Sequence, residues 1–168
     1  MKTATFETNL GTFKIQLETE KAPITTANFI KLVEEGFYDG TRFHRVITDF
    51  MIQGGDPKSK DESLMDEWGT GSPGYKIKDE FHPDLRNHIG TIAMANSGPN
   101  TGGSQFFINV GENTFLDYDQ QPLSSKHPVF GHITEGMDII EKISKVKTTG
   151  RPSDRPLEEV VIEKITIN

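Results

Sequence analysis

Apolar and polar positions alternate from the start of the chain: Ala4 and Phe6 interleave with Thr5 and Glu7, and Phe13, Ile15 and Leu17 with Lys14, Gln16 and Glu18. A period of two sends alternate side chains to opposite faces of a strand. With Asn9-Leu10-Gly11 as the turn, this opening stretch predicts an antiparallel hairpin. The period then lengthens. Pro23 suits the first turn of a helix, Thr26, Phe29, Ile30 and Val33 recur at helical spacing, and Gly36 ends the run. Residues 43–56 read as two strands and a bend, and strands are predicted over 89–95, 105–110, 129–133 and 160–167. Thr134 offers an N-cap to a second helix with the apolar stripe Ile139, Ile140, Ile143 and Val146. Residues 56–68 are charged and lack periodicity, which predicts a solvated loop, and 81–86, 113–127 and 147–156 also read as loops. Repeats and low-complexity linkers are absent from the sequence. Many short strands bracketed by two helices predict a mainly β fold. The expectation is one domain over 1–168, a closed or nearly closed antiparallel barrel whose closure removes exposed edges.

Composition narrows the function. A chain of 168 residues can bury a core, and 33% hydrophobic residues is within the globular range once 16 glycines are counted. A formal charge of -7 with a pI near 5.2 argues against duplex nucleic acid or an anionic membrane as partner, and no basic cluster reverses that. With no cysteine there is no disulfide framework, thiolate nucleophile or cysteine zinc cage. The first residues lack an apolar leader core, and no segment approaches the roughly 18 apolar residues that span a bilayer. A cytoplasmic monomer is the expectation.

Arg45 stands out because it lies in the apolar run 43–56 with no neighbouring carboxylate. A guanidinium there needs acceptors or water. Phe50 and Met51 supply apolar wall beside it, and Gln53 can steady its head. A second unit, 90–108, reads as strand, glycine-rich bend and strand, with Phe107 alternating away from a core Phe106. Other motifs carry less. Gly69 to Gly74 spells G-x-G-x-x-G, but an acidic loop precedes it, Pro73 sits inside it and strand-like Tyr75-Lys76-Ile77 follows, so a surface turn is the reading. His82, His88 and His132 have no metal-ligand spacing and read as structural or exposed. Asp56, Asp79 and Glu80 form no evident acid pair, which leaves hydrolase chemistry little support. His44 falls on the strand face opposite Arg45, which predicts a buried, hydrogen-bonded structural role.

FHRVITDFMIQGGD at 43–56 and MANSGPNTGGSQFFI at 94–108 closely resemble the cyclophilin family of peptidyl-prolyl isomerases, and the likeness runs from about Phe6 to Ile167. The resemblance implies a closed eight-stranded antiparallel barrel with an α-helix over each end. It implies isomerisation of Xaa-Pro bonds in peptides and unfolded or flexible proteins, assisting their folding, with no metal or cofactor. Carried over by residue, it makes Arg45 the donor to the prolyl nitrogen, with Gln53 beside it. Phe50, Met51, Phe107, Leu116 and His127 would line the proline pocket, and Ile47 would back its wall. Ala95, Asn96, the adjoining Ser97, Gln105 and Gln53 would meet the substrate backbone. Gly69, Thr101 and Gly102 would lie by the subsite that residues before the proline cross. Phe115 stands where many eukaryotic members carry a tryptophan whose indole N-H is associated with cyclosporin, so cyclosporin-type ligands are expected to bind weakly. The loop over 117–126 is longer than in those members. The alternative is a binding module or holding chaperone that grips proline segments without turnover; it needs the pocket but not the donor.

Overall fold

The opening alternation becomes β1 (Lys2–Thr8) and β2 (Gly11–Leu17), paired antiparallel with Phe6 opposite Phe13 and Ala4 opposite Ile15. The structure is a computed structural model and describes residues 2–121 and 126–168. Residues 122–125 of the loop expected over 113–127 lie outside the described residues. Six more strands follow: β3 (Arg45–Ile47), β4 (Met51–Gly54), β5 (Thr91–Met94), β6 (Phe106–Asn109), β7 (Val129–Glu135) and β8 (Ile162–Ile167). All join one sheet in the order β3-β4-β6-β5-β7-β2-β1-β8, every neighbouring pair antiparallel.

The sheet curls but its end strands do not pair as a ladder, which corrects the expectation of a closed barrel. Between them lie an isolated bridge, Arg42 to Val161, and single backbone bonds such as Phe43 N-H to the Val160 carbonyl, 2.9 Å, and Val46 N-H to the Asp154 carbonyl, 2.8 Å. β3 has three residues and its outer edge meets the 148–156 connector, so no continuous register with β8 can form.

Helix α1 (Pro23–Glu34) buries Phe29, Leu32 and Val33 over one opening of the curl. Phe29 packs against Phe6, Tyr38, Phe106 and Phe130 with ring centroids 5.3 to 6.2 Å apart. No side chain of its own caps its start; the Glu80 carboxylate does, accepting from Ile24 N-H at 3.1 Å and from the Thr25 N-H and hydroxyl at 3.0 Å. Helix α2 (Met137–Ser144) buries Ile140 and Ile143 as its stripe requires. Its cap is Gly136, with φ of 86°, and not Thr134, which continues β7. A Cβ at Gly136 would stand 2.6 Å from that of Phe13, so no hydroxyl-bearing cap fits there. Residues 57–68 also depart from expectation. They form two short 3-10 turns, Pro57–Lys60 and Glu62–Glu67, in place of an irregular loop, while their solvation is as expected: only Ser59 is buried, and Lys60, Asp61, Glu62, Asp66 and Glu67 are exposed.

Strict alternation divides the apolar side chains into two sets. Val46, Ile52, Ile92, Met94, Phe106 and Ile108 point into the curl with Phe6, Phe13 and Phe130, while Met51, Ala93, Phe107, Leu116 and Val129 form a second cluster on the outside.

Candidate active site

The outer cluster continues a row of residues that the ladder registers fix. Arg45 is opposite Gln53, Gln53 opposite Phe107, Phe107 opposite Ala93, and Ala93 opposite Val129, so one line crosses β3, β4, β6, β5 and β7. Facing residues of an antiparallel pair stand about 4.5–5.5 Å apart at Cβ, close enough to act as one surface. The row starts polar and ends apolar. A second row, Ile47 opposite Met51, runs beside it.

Above this surface is a cavity of about 480 Å³ lined by Arg45, Phe50, Met51, Gln53, Gly69, Ala95, Asn96, Phe107, Leu116 and His127. Its floor is apolar and its rim polar. Gln53 Oε1 faces Arg45 Nη1 at 3.5 Å, Gln53 Nε2 donates to Gln105 Oε1 at 3.0 Å, and Gln105 Nε2 donates to the Gly69 and Gly71 carbonyls, each at 3.0 Å. The Gln53 contact is the one side-chain hydrogen bond of Arg45 among the described residues, so most of its fork of donors is left without a protein partner at the cavity wall. His127 Nδ1 lies 3.0 Å from the Met94 carbonyl, which fixes that nitrogen as the donor and leaves Nε2 without the proton. The ring meets Phe107 edge-on, centroids 5.2 Å apart, and burial holds its pKa below the usual histidine range, so it is neutral near pH 7. Asn96 Nδ2 donates to the Lys126 carbonyl at 2.7 Å, tying the bend after β5 to the segment that carries His127.

The remaining expected residues distribute around this centre. Ser97, Thr101 and Gln105 line an adjoining cleft that shares Gln53, Gly69, Ala95 and Asn96 with the first. Gly102 does not line it; it is buried behind the cleft, bridging Ile77. Ile47 and Phe115 line a hollow on the other side of Arg45 and Phe50. Phe115 is 55% exposed and stacks on Phe50 at 6.1 Å.

Sequence reasoning missed several residues. Met65 and Trp68, from the acidic segment, and Pro152, Ser153 and Arg155, from the last connector, line the central cavity. His44 lines it as well, which corrects its assignment to a hydrogen-bonded site on the far face: among the described residues its ring nitrogens are the buried side-chain polar atoms without a hydrogen-bond partner. His44 precedes β3, so strand alternation does not bind it. Burial lowers its pKa to about 4, opposed chiefly by the nearby Asp56 charge. A buried amide network supports the walls. Asn113 Nδ2 donates to the Phe50 carbonyl at 2.8 Å, and Asn87 Nδ2 donates to Asp117 Oδ1 at 2.9 Å and to the His127 carbonyl at 3.1 Å. Asn109, inside the apolar run of β6, was the visible signal for it. His82, His88 and His132 sit apart, beside Asp84, Glu112 and Glu18.

The model of the family described as cyclophilin type peptidyl-prolyl cis-trans isomerase/CLD matches residues 3–167. The chain belongs to this family. Among its relatives, peptidyl-prolyl cis-trans isomerase A of Mycobacterium tuberculosis is 44% identical over 184 aligned residues, covering 99% of this chain and 92% of that protein. Peptidyl-prolyl cis-trans isomerase-like 1 of Neurospora crassa is 43% identical over 162 residues, covering 96% and 91%. The crystal structure of a Cryptosporidium parvum cyclophilin type peptidyl-prolyl cis-trans isomerase superposes with a TM-score of 0.85 at 30% identity, covering 99% of this chain and 97% of that one. The same Cryptosporidium protein in the presence of the dipeptide Ala-Pro gives 0.84 at 30% identity, covering 99% and 98%. The protein is thus a cyclophilin-type peptidyl-prolyl cis-trans isomerase.

Proposed function

We propose that the cavity on the outer face of β4, β5 and β6 seats the proline ring and that Arg45 catalyses rotation by donating to the prolyl nitrogen. Rotation gives up amide resonance against a barrier of about 18–20 kcal/mol. As conjugation is lost the nitrogen regains a lone pair, and proline has no N-H to compete for the space around it. A donor aimed at that lone pair binds the twisted state more tightly than either planar one, and only such differential binding speeds the step. Arginine suits the task because it keeps its proton at any working pH and its donors form a rigid fork.

Uncatalysed isomerisation takes about 10–100 s, so a turnover of order 10 per second asks for roughly 3–4 kcal/mol. One charge-assisted hydrogen bond contributes about 1.5–3 kcal/mol. Seating the ring against Met51, Phe107 and Leu116 while Asn96 and Gln105 hold the backbone supplies the rest through positioning. The observation that carries this reading is the registered row from Arg45 through Gln53 to Phe107, which sets a charged donor beside an apolar slot on rigid strands. Phe115 leaves no indole N-H at its position, so cyclosporin-type ligands bind weakly while the reaction is kept.

The test is NMR exchange on a short Xaa-Pro peptide with wild type and Arg45→Ala. The variant slows exchange by at least about tenfold, the loss of one transition-state donor. An unchanged rate would sink the assignment of Arg45. Unaltered peptide affinity with no turnover in either protein would favour the holding-module reading.

A further inference from the structure

The chain has five arginines in a protein of net charge -7. Two are satisfied by carboxylates outside the central cavity: Arg42 by Glu159 at 2.7 Å and Glu62 at 3.4 Å, and Arg86 by Asp119 at 2.6 Å with Asp117 at 3.8 Å. The other three, Arg45, Arg151 and Arg155, have no salt bridge among the described residues, and all three line one continuous groove. Arg45 and Arg155 line the central cavity, whose wall includes no carboxylate. Arg45 and Arg151 line the hollow beyond it, where the single carboxylate is Asp154. His44 and His127 have pKa values below the usual histidine range and add no positive charge near pH 7.

The hollows also have an order. The cleft with Ser97 and Thr101 joins the central cavity through Gln53, Gly69, Ala95 and Asn96, whereas the hollow with Arg151 joins it through Arg45, Phe50 and Pro152. On the reading given above, residues before the proline cross the first cleft. Residues after the proline then leave over the second, past Arg151, with Arg155 on the wall of the central cavity that they quit. We infer that this exit reads charge: Arg151 and Arg155 are specificity-determining residues that favour substrates with an aspartate or glutamate directly after the proline. Unpaired guanidinium groups in a partly enclosed groove are suited to binding a carboxylate.

The long-range field works against this preference, because a chain of charge -7 repels an acidic peptide. A preference for acid therefore reports the groove and not the overall charge. The inference rests on the proposed orientation of the substrate, and the experiment separates the two. The kcat/KM for isomerisation is measured by NMR exchange on three peptides that differ only in glutamate, glutamine or lysine after the proline. A fourth peptide carries glutamate two residues before the proline. Wild type turns over the glutamate-after peptide about fivefold faster than the glutamine one and disfavours lysine, and added salt narrows the spread. In Arg151→Gln/Arg155→Gln the ratio of glutamate to glutamine falls to about one, while Arg155→Lys keeps a preference because charge is retained. Ratios within each protein cancel any general loss of activity. No turnover of the glutamine peptide by wild type would refute the catalytic site itself. Equal turnover of all three, a preference that persists in the double variant, or the same preference with glutamate before the proline would overturn the inference alone.

Discussion

At the scale of single residues, His44 carries the clearest consequence for stability. Its folded-state pKa of about 4 lies below the roughly 6.5 of an unfolded histidine. Between those values the unfolded chain binds a proton that the folded one does not, so stability falls as pH falls. The group's contribution is intact above the unfolded pKa and is lost progressively down to the folded one, about 3 kcal/mol in all at 1.36 kcal/mol per pH unit. Urea unfolding of wild type between pH 7 and 4.5 should show this slope, and His44→Gln should flatten it. An equal slope in the variant would assign the loss to other groups. Arg45 was legible in the sequence because an unpartnered charge in an apolar run is conspicuous. His44 was not, because alternation constrains only residues inside a ladder, and β3 begins one residue later.

Among elements, the segment after β4 changes most from expectation. Asp56 is fully buried and its carboxylate accepts from Lys58 N-H at 2.8 Å and from the Gly69 and Gly71 N-H groups, closing the segment at both ends. A Cβ on Gly71 would fall 1.9 Å from Asp56 Oδ1, so glycine is required for that approach. Arg42 fixes the middle, with its guanidinium 5.1 Å over the Trp68 ring, while the Trp68 indole N-H donates to the Asp61 carbonyl at 3.1 Å. Charged composition suggested solvent, and most of these charges do meet it; what composition does not reveal is the one buried carboxylate, Asp56, that orders the segment. Asp56→Asn should cost about 1–3 kcal/mol by leaving amide donors opposed. Trp68 is the only tryptophan, so a red shift of intrinsic fluorescence should report the loosened wall directly. Unshifted emission would mean that the segment holds without Asp56. The cap of α1 was illegible for a related reason: Glu80 lies far along the chain from Thr25. Glu80→Ala should lower stability by about 1 kcal/mol, or roughly 2–4 °C in Tm, with isomerisation unchanged. A Tm within error of wild type would show that water replaces the cap.

For the whole molecule, the hairpin, α1 and most strands were legible from periodicity, and the cyclophilin likeness supplied their assembly. What periodicity lacked was closure. Local patterning predicts strands but not whether the first and last of a sheet meet, which depends on connectors such as 148–156 that show no pattern of their own. The seam here rests on scattered backbone bonds, at Gly40, Ile162, Phe43 and Val46, whereas β1 and β2 share a seven-residue ladder. Hydrogen exchange should therefore release the Phe43 and Val46 amides by partial opening before those of Phe6 and Ile15. Equal protection at both places would mean that the curl opens only as a unit. The residues that line the cavity were legible where they belonged to the strand rows and illegible where they came from connectors, as Trp68, Pro152 and Arg155 do.

The row that crosses the outer face has one more implication. Moving β4 by a single position against its neighbours would turn Ile52 and Gly54 outward and hide Met51 and Gln53 within the curl, abolishing the slot and the arginine's companion together. If the proposed site does the chemistry, misaligned copies of this protein are silent instead of sluggish, and a refolding mixture assayed by turnover counts only molecules whose own strands have found their true partners.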